Sequence, residues 1–363
     1  MSVPRVAIVY LSYHSDEYID EAFSAVSNLN YSKENLALIV VDNLHPTHGS
    51  SLDKIQKVLE IHKNTLPKYI ILPQNANLGF CGGNNVGIKW ALDNNYDYVF
   101  LHNQDGSIDL DCISKMIQVM ESNKKIGCAQ ALVMLDHSDR INSAGNSFNY
   151  IGFGYISNFG QKISEIKFNK VQNVGYASGA ALLLRADLLR AHGGLNELFF
   201  VYHEDVEYSL RMKFLGYQTA MVSDAKYFHK YEFNRNNSKF YFIERNRYLV
   251  LLMYYKWPTL LLLLPLIIIS EISIFIFFVL KGWVKLKLEF YKYFINHNNI
   301  KILLKNRSII QNIRQIKDRN FIRGLDSGIQ INKNQKFSLY LIKLIVNPIL
   351  IIYYSIVRII IFW

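Results

Sequence analysis

The sequence predicts an α/β domain with a largely parallel sheet, continued by a hydrophobic, basic and mainly helical region. Three observations carry this. Apolar runs of strand length alternate with helical patterns through the first 130 residues, the signature of a sheet covered on both faces. Polar turns rich in Gly, Asn and Asp follow several of those strands, where open α/β sheets bind ligands. The longest apolar runs and the entire positive charge excess fall together in the last third of the chain. Domains are expected at 1–248 and 249–363.

In order, Val6–Leu11, Leu36–Val41, Tyr69–Leu72, Tyr98–Leu101 and Gly127–Met134 read as buried strands. Glu17–Asn28, Ser51–His62, Asn84–Asn94 and Asp111–Asn123 read as the helices between them. Residues 141–175 lack helical periodicity and suggest a hairpin or irregular insertion before a further strand, Ala180–Leu184. From Val206 the apolar positions Val206, Leu210 and Phe214 recur at helical spacing, and Thr219–Val222 reads as a short strand ahead of His229.

Several turns carry groups suited to chemistry. The strand Tyr98–Leu101 runs into His102-Asn-Gln-Asp105, with Asp109 beyond. A carboxylate there can hold a hard cation that carries phosphates; the same residues also suit an Asx turn with Asp109 capping the next helix. Asp42 and Asn43 end the second strand, a place for a ribose or base edge or for an ordinary turn. Asn75–Gly87 holds four glycines and precedes a helix, so its backbone can approach a phosphate or sugar closely. Its spacing matches neither the dinucleotide nor the P-loop fingerprint, which speaks against an NAD-dependent reductase. Glu204 and Asp205 fall in the first turn of a helix, where the dipole stabilises an anion that can act as a base. The same turn also fits the plain preference of helix starts for acids, with a Glu207–Arg211 pair one turn on. A lone histidine such as His229 is more often packed than ligating.

These elements together resemble the family 2 inverting glycosyltransferases with the GT-A fold, a Rossmann-like mixed sheet that binds nucleotide-diphospho-sugars, and in particular the rhamnosyltransferase-like members that build O-antigen, capsule or cell-wall polysaccharide. The matching residues are Val40–Asn43, Asn77–Phe80 with Gly83–Gly87, His102–Asp105, Ala177–Ala181, His203–Tyr208 with Leu210, Arg211 and Gly216, His229, and Glu244–Asn246. The resemblance implies that Asp42 contacts the donor nucleoside. It implies further that Asn77, Gly79, Phe80, Gly83 and Asn84, with Gln104, Asp105, Ser178 and Gly179, line the nucleotide-sugar site. Asp105 and His229 would hold a divalent cation, Mg2+ or Mn2+. Asp205 would be the general base, supported by Glu204. The family's metal motif often has a first carboxylate where this chain has Asn103. The implied donor is a nucleotide-diphosphate sugar such as dTDP-rhamnose, and the implied acceptor a hydroxyl of a polyprenyl-linked glycan. Two alternatives are direct transfer to polyprenyl phosphate and a non-catalytic membrane scaffold that retains a nucleotide-binding domain.

Residues 1–230 carry 20 Lys/Arg against 23 Asp/Glu, whereas residues 231–363 carry 20 against 6. Basic charge interleaved with the apolar runs Trp257–Leu280 and Phe337–Trp363 points to membrane lipids and not to nucleic acid. Both runs are long enough to span a bilayer, yet two spans would export residues 281–336, with 13 Lys/Arg against 3 Asp/Glu, against the positive-inside tendency. Pro258 and Pro265 are expected to break the first run, and Ile309, Ile313 and Ile316 among Arg314, Lys317 and Arg319 to form an interfacial helix. The expected arrangement is monotopic or re-entrant, at the cytoplasmic face of the cell membrane. Three cysteines without a CxxC pair and an N-terminus without a basic leader fit a reducing, cytoplasmic setting.

Overall fold

The computed structural model describes residues 3–230, 237–330 and 337–363, and the side chains of all of these except 337–343. Two of the lysines counted in the basic segment, Lys333 and Lys336, lie outside the described residues. The chain divides into two compact units: Met1–Asn146, Ile156–Met212 and Tyr217–Glu232 form the first, and Ser147–Tyr155, Lys213–Gly216 and Phe233–Trp363 the second.

The first unit begins with β1 (Val6–Ser12), α1 (Ile19–Ser27), β2 (Leu36–Asp42), α2 (Leu52–His62), β3 (Lys68–Pro73), α3 (Gly79–Asp93) and β4 (Tyr98–Asn103). It continues with β5 (Gly106–Ile108), α4 (Cys112–Ser122), β6 (Ile126–Leu135) and β7 (Ile141–Ser143); the short pair that follows, β8 (Asn146–Phe148) and β9 (Gly154–Ile156), lies mostly in the second unit. It ends with β10 (Val171–Asn173), β11 (Ala181–Arg185), α5 (Ala186–His192), α6 (Glu204–Phe214) and β12 (Gln218–His229). The main sheet has the order β10-β12-β6-β11-β4-β1-β2-β3. The first four strands pair in parallel, as expected from their alternation with helices. β11 then lies antiparallel to both β4 and β6, so the sheet is mixed.

β1 and β2 are buried at every residue because both faces are covered. Val6, Ile8 and Tyr10 pack with Leu36, Leu38 and Val40 into a core shared with Phe23 of α1, Ile55 of α2 and Met116 of α4. The alternate residues Val9 and Leu11 face α3. There the sequence has glycine: a Cβ on Gly87 would lie 2.5 Å from Val9 Cγ1, and one on Gly83 would lie 2.4 Å from Leu11 Cδ1. These two glycines let a helix sit tightly on the sheet, a role the sequence reading gave instead to ligand approach. Gly87→Ala is expected to destabilise the domain by about 1–2 kcal/mol, because overpacking outweighs the gain of about 1 kcal/mol in helix propensity. Urea unfolding checks this, and adding Val9→Ala should recover part of the loss; an unchanged midpoint in the single variant would refute the contact.

Three local expectations are corrected. The strand expected to stop at Val222 continues through a register shift to His229 as one 12-residue β12, pairing with β5 and β6. Asp109 does not cap a helix; its N–H donates to the Lys226 carbonyl, and α4 starts after Asp111. α3 starts at Gly79, five residues before the expected start, so the helix absorbs most of the glycine-rich stretch.

The second unit is helical: α7 (Lys239–Tyr254), α8 (Trp257–Leu280), α9 (Val284–Ile295), α10 (His297–Asn312), α11 (Asp318–Arg323) and α12 (Phe337–Ile360). α7, which crosses position 248, belongs to this unit. α8 is one continuous helix, against the expected break. Pro258 occupies its first turn, where the missing N–H is not needed, and Pro265 forfeits one hydrogen bond among many. The expected interfacial helix around 309–319 is also absent. α10 stops at Asn312, and Arg314 turns inward to pair with the buried Asp318 and to stack on Phe214 at 4.7 Å. A buried carboxylate requires such a partner.

Candidate active site

The sheet edge formed by the ends of β1, β2, β4 and β12 and the start of β11 collects most of the residues singled out in the sequence. β4 ends at Asn103, and the turn after it carries Gln104 and Asp105. Three groups brace this turn. Tyr10 donates its hydroxyl to the Gln104 carbonyl at 3.2 Å, the Gln104 side-chain oxygen accepts from Tyr13 N–H at 2.7 Å, and Tyr227 donates to the Asn103 carbonyl at 3.2 Å. Tyr227 also lies 2.9 Å from His102 Nδ1. Its ring passes so close that a Cβ on Gly106 would fall 1.8 Å from the hydroxyl oxygen, so glycine is required immediately after Asp105. Tyr227 was not singled out from the sequence; the aromatic-aromatic-histidine run at 227–229 was its only signal.

Antiparallel pairing of β12 with β5 sets His229 opposite Gly106. His229 Nε2 thereby comes within 3.0 Å of Asp105 Oδ1, although 124 residues separate them. Asn103 donates to the same Asp105 oxygen at 3.2 Å and lies 3.3 Å from His229 Nε2. A carboxylate oxygen suits Mn2+ or Mg2+, and an imidazole nitrogen beside it suits the softer Mn2+ better than Mg2+, so the pair fits a divalent cation of the Mn2+ type. A different cluster, Glu21, Asp136 and His137, gathers three ligand atoms nearby, but the Lys230 ammonium lies 2.5 Å from Glu21 and already supplies its positive charge.

The second carboxylate pair reaches the same edge from α6. β11 starts beside the end of β4, with Ala181 opposite His102. Two residues before it, Gly179 N–H donates to Asp205 Oδ2 at 3.0 Å, and Asp205 Oδ1 accepts from Val206 N–H at 2.8 Å. Phe80 lies against the same glycine: a Cβ on Gly179 would meet the Phe80 ring at 3.4 Å and Asp205 Cβ at 3.6 Å. Ser178 is fixed by its N–H donating to the buried Gln130 side chain at 2.7 Å. Ahead of α6, Phe200, Tyr202 and His203 all hold positive φ. Such backbone strain in bulky residues persists only where surrounding structure enforces it. The Phe200 carbonyl accepts from Cys81 N–H at 3.1 Å, which ties this segment to the start of α3.

Burial raises the pKa of both acidic residues, but unequally. Asp205 is pushed up to about 6 by desolvation, opposed by its bonds from the Gly179 and Val206 amides. Glu204 is held well above the ordinary carboxylate range by desolvation and by the Asp205 charge. Its Oε2 is buried without a hydrogen-bond partner among the described residues. Both carboxyls of this adjacent pair are therefore displaced upward by burial, and the Gly179 and Val206 amides favour the charged form of Asp205.

Two predicted donor contacts point inward. Asp42 is 1% exposed, and its oxygens accept hydrogen bonds from Ser12 and Ser50. Asn84 is 1% exposed and donates to the Phe80 carbonyl one turn back. Asn43 donates to the Gly79 carbonyl at 3.0 Å, and Asn77 accepts from Gly79 N–H at 2.9 Å, so together they set the start of α3.

A mixed α/β sheet with helices on both sides and two acidic positions at one edge defines a nucleotide-sugar transferase type of domain, the GT-A fold. Residues 7–193 match the glycosyl transferase family 2 model, and the chain belongs to that family. It is 24% identical over 253 residues to the low-salt glycan biosynthesis hexosyltransferase Agl10 of Haloferax volcanii, covering 67% of this chain and 74% of that protein. An uncharacterized glycosyltransferase of Haemophilus influenzae is 23% identical over 229 residues, covering 60% and 64%. Among solved structures, S. aureus TarS 1–349 in complex with UDP superposes with a TM-score of 0.52 at 15% identity, over 92% of this chain and 98% of that one. The mannosyltransferase PcManGT of Pyrobaculum calidifontis, in complex with GDP-Man and Mn2+, does so with a TM-score of 0.50 at 11% identity, over 99% and 88%. The chain is therefore a family 2 glycosyltransferase of GT-A fold.

Proposed function

We propose that this glycosyltransferase moves a sugar, with inversion, from a nucleotide-diphosphate donor to a hydroxyl of a lipid-linked glycan in surface polysaccharide synthesis, dTDP-rhamnose being the donor suggested by resemblance. The observation that carries the reading is the Glu204–Asp205 pair, with Glu204 buried and Asp205 anchored to the Gly179 amide beside the Asp105–His229 turn. Asp205 takes the proton of the acceptor hydroxyl as its oxygen bonds to the anomeric carbon, and the diphosphate leaves from the opposite face. A single carboxylate base suits one displacement, which inverts the anomeric centre. Phe80, Ser178 and Gly179 orient the sugar, Asn77 and Gly79 shape the loop beside it, and Gln104 fixes the turn that presents Asp105. Asp105 and His229 would hold a divalent cation whose charge stabilises the departing diphosphate. Structures of TarS with UDP and of PcManGT with GDP-Man and Mn2+ support a nucleotide-sugar donor and a divalent cation.

Nucleotide sugars with Mn2+ or Mg2+ should raise the apparent stability by roughly 2.7 kcal/mol at a hundredfold excess over Kd. Thermal unfolding with a panel of donors, with and without metal, tests the donor reading; no shift with any of them would overturn it. Turnover on polyprenyl phosphate alone would favour the direct-transfer alternative. Because burial and the adjacent Asp205 charge favour the neutral carboxyl of Glu204, its amide analogue preserves that character: Glu204→Gln should keep kcat within about threefold. A loss as large as that of the Asp205 variant would move the base to Glu204.

A further inference from the structure

We infer that the second unit attaches to an anionic lipid surface through α8 and α12 lying in the membrane plane, with both ends of α8 on one side, although α8 has the length and composition to cross a bilayer. This rests on the lipid-linked acceptor of the proposed function, which the enzyme would meet at a membrane, and specifies the geometry of attachment.

α8 is buried along one side in its first half and again at Phe278, and its second half exposes a wider apolar arc that adds Ile269, Ile276 and Leu280. Leu261, Leu264, Ile268, Ile272, Phe275 and Val279 recur every three or four residues and are exposed, whereas Leu260, Leu263 and Ile267 on the other side are buried. α12 repeats the arrangement, with Ile345, Ile349, Ile352, Ile356 and Ile359 exposed and Leu350, Tyr354, Val357 and Ile361 buried. The two helices are joined: Tyr353 donates to the Leu262 carbonyl at 2.5 Å, and Trp363 Nε1 to the Thr259 hydroxyl at 2.8 Å. Polar contacts hold the inner side of α8 at its start and again at its middle. At the start, Lys256 N–H and the Thr259 hydroxyl donate to the buried Asp318. Near the middle, Glu271 pairs with Lys287 of α9 at 2.8 Å and accepts from Tyr248 of α7 at 2.8 Å and Tyr291 at 2.6 Å. Lys287 also reaches Glu244 of α7, which pairs with Arg247.

This network decides the orientation. Were α8 to span, Glu271 would lie roughly 21 Å along the helix from Trp257, deep in the hydrocarbon. Charged α7 and α9 would be carried in with it, and each charged side chain at bilayer depth costs about 2.5–3.5 kcal/mol or more. α9 also exposes Lys285 and Glu289. With the helices in the plane, the apolar stripes enter the acyl boundary while the ion network stays on the protein side. The excess of Lys/Arg over residues 231–363 fits anionic headgroups.

The natural cysteines Cys81, Cys112 and Cys128 are all buried, so single surface cysteines can be read by a membrane-impermeant maleimide. In the full chain, Asn320→Cys marks the start of α8, since it lies two residues from Asp318, and Lys285→Cys marks the other end. Both should label from the same side, in intact spheroplasts or in inverted vesicles. Labelling from opposite sides would overturn the in-plane geometry while leaving membrane association intact; recovery of the protein with no affinity for phosphatidylglycerol vesicles would overturn both. Ile272→Asp and Ile352→Asp, at positions 56% and 62% exposed, should each weaken binding to those vesicles by about tenfold or more with unchanged far-UV circular dichroism. Undiminished binding in both would overturn the stripe as the contact surface.

Discussion

Asp205→Asn is expected to lower kcat by on the order of 10²–10⁴ while leaving the Kd for the nucleotide sugar within about twofold. The substitution keeps an acceptor for the Gly179 amide, 3.0 Å away, and keeps the shape of the first turn of α6. What it removes is the ability to take a proton. Donor affinity that fell in step with the rate would mean that this carboxylate binds the donor instead. The pH dependence gives a second reading. With Asp205 as the proposed base and its pKa raised to about 6 by burial, kcat/KM should fall as pH drops through about 6. Stability should show the opposite sign. A carboxyl whose pKa is raised on folding binds its proton more tightly in the native state, so its contribution is fully present below its unfolded value, near 4, and is lost as pH rises through about 6. The Asn variant should therefore match the wild type near pH 4 and unfold at a higher temperature above pH 6.

Asp105→Ala should abolish the metal-dependent part of donor binding, a loss on the order of tenfold to a hundredfold in Kd with Mn2+ or Mg2+ present, and leave the weak metal-free binding unchanged. His229→Ala should act in the same direction, because His229 Nε2 meets Asp105 Oδ1 at 3.0 Å. Calorimetric titration of donor with metal and with chelator separates the two components. Metal-dependent affinity that survived in both variants would show that the cation, or its substitute, is held elsewhere.

Much of the site was legible as residue types at strand ends. Asp105 follows an unbroken apolar strand, and Glu204-Asp205 opens a helix with regular apolar spacing. Backbone periodicity sets such placements locally, so a single sequence reveals them. The glycine-rich stretch was misread in emphasis. Gly83 and Gly87 make room for Leu11 and Val9, contacts across some 70 or more residues that no local pattern announces. Asp42 ends β2 as its position in the sequence indicates, and it is buried because Ser50 folds back onto it from the next loop.

By itself the sequence determined the alternation of strands and helices, the position of both carboxylate groups, and the gathering of apolar and basic residues at one end. Each follows from local pattern and composition. Only the tertiary structure decided that β11 runs antiparallel, that β12 extends far enough to carry His229 to Asp105, and that burial raises the carboxyls of both Glu204 and Asp205. It alone also placed Lys287 on Glu271, an ion pair that ties the middle of α8 to α9. These outcomes depend on distances between residues far apart in the chain and on the water that packing excludes, neither of which is encoded in any single stretch.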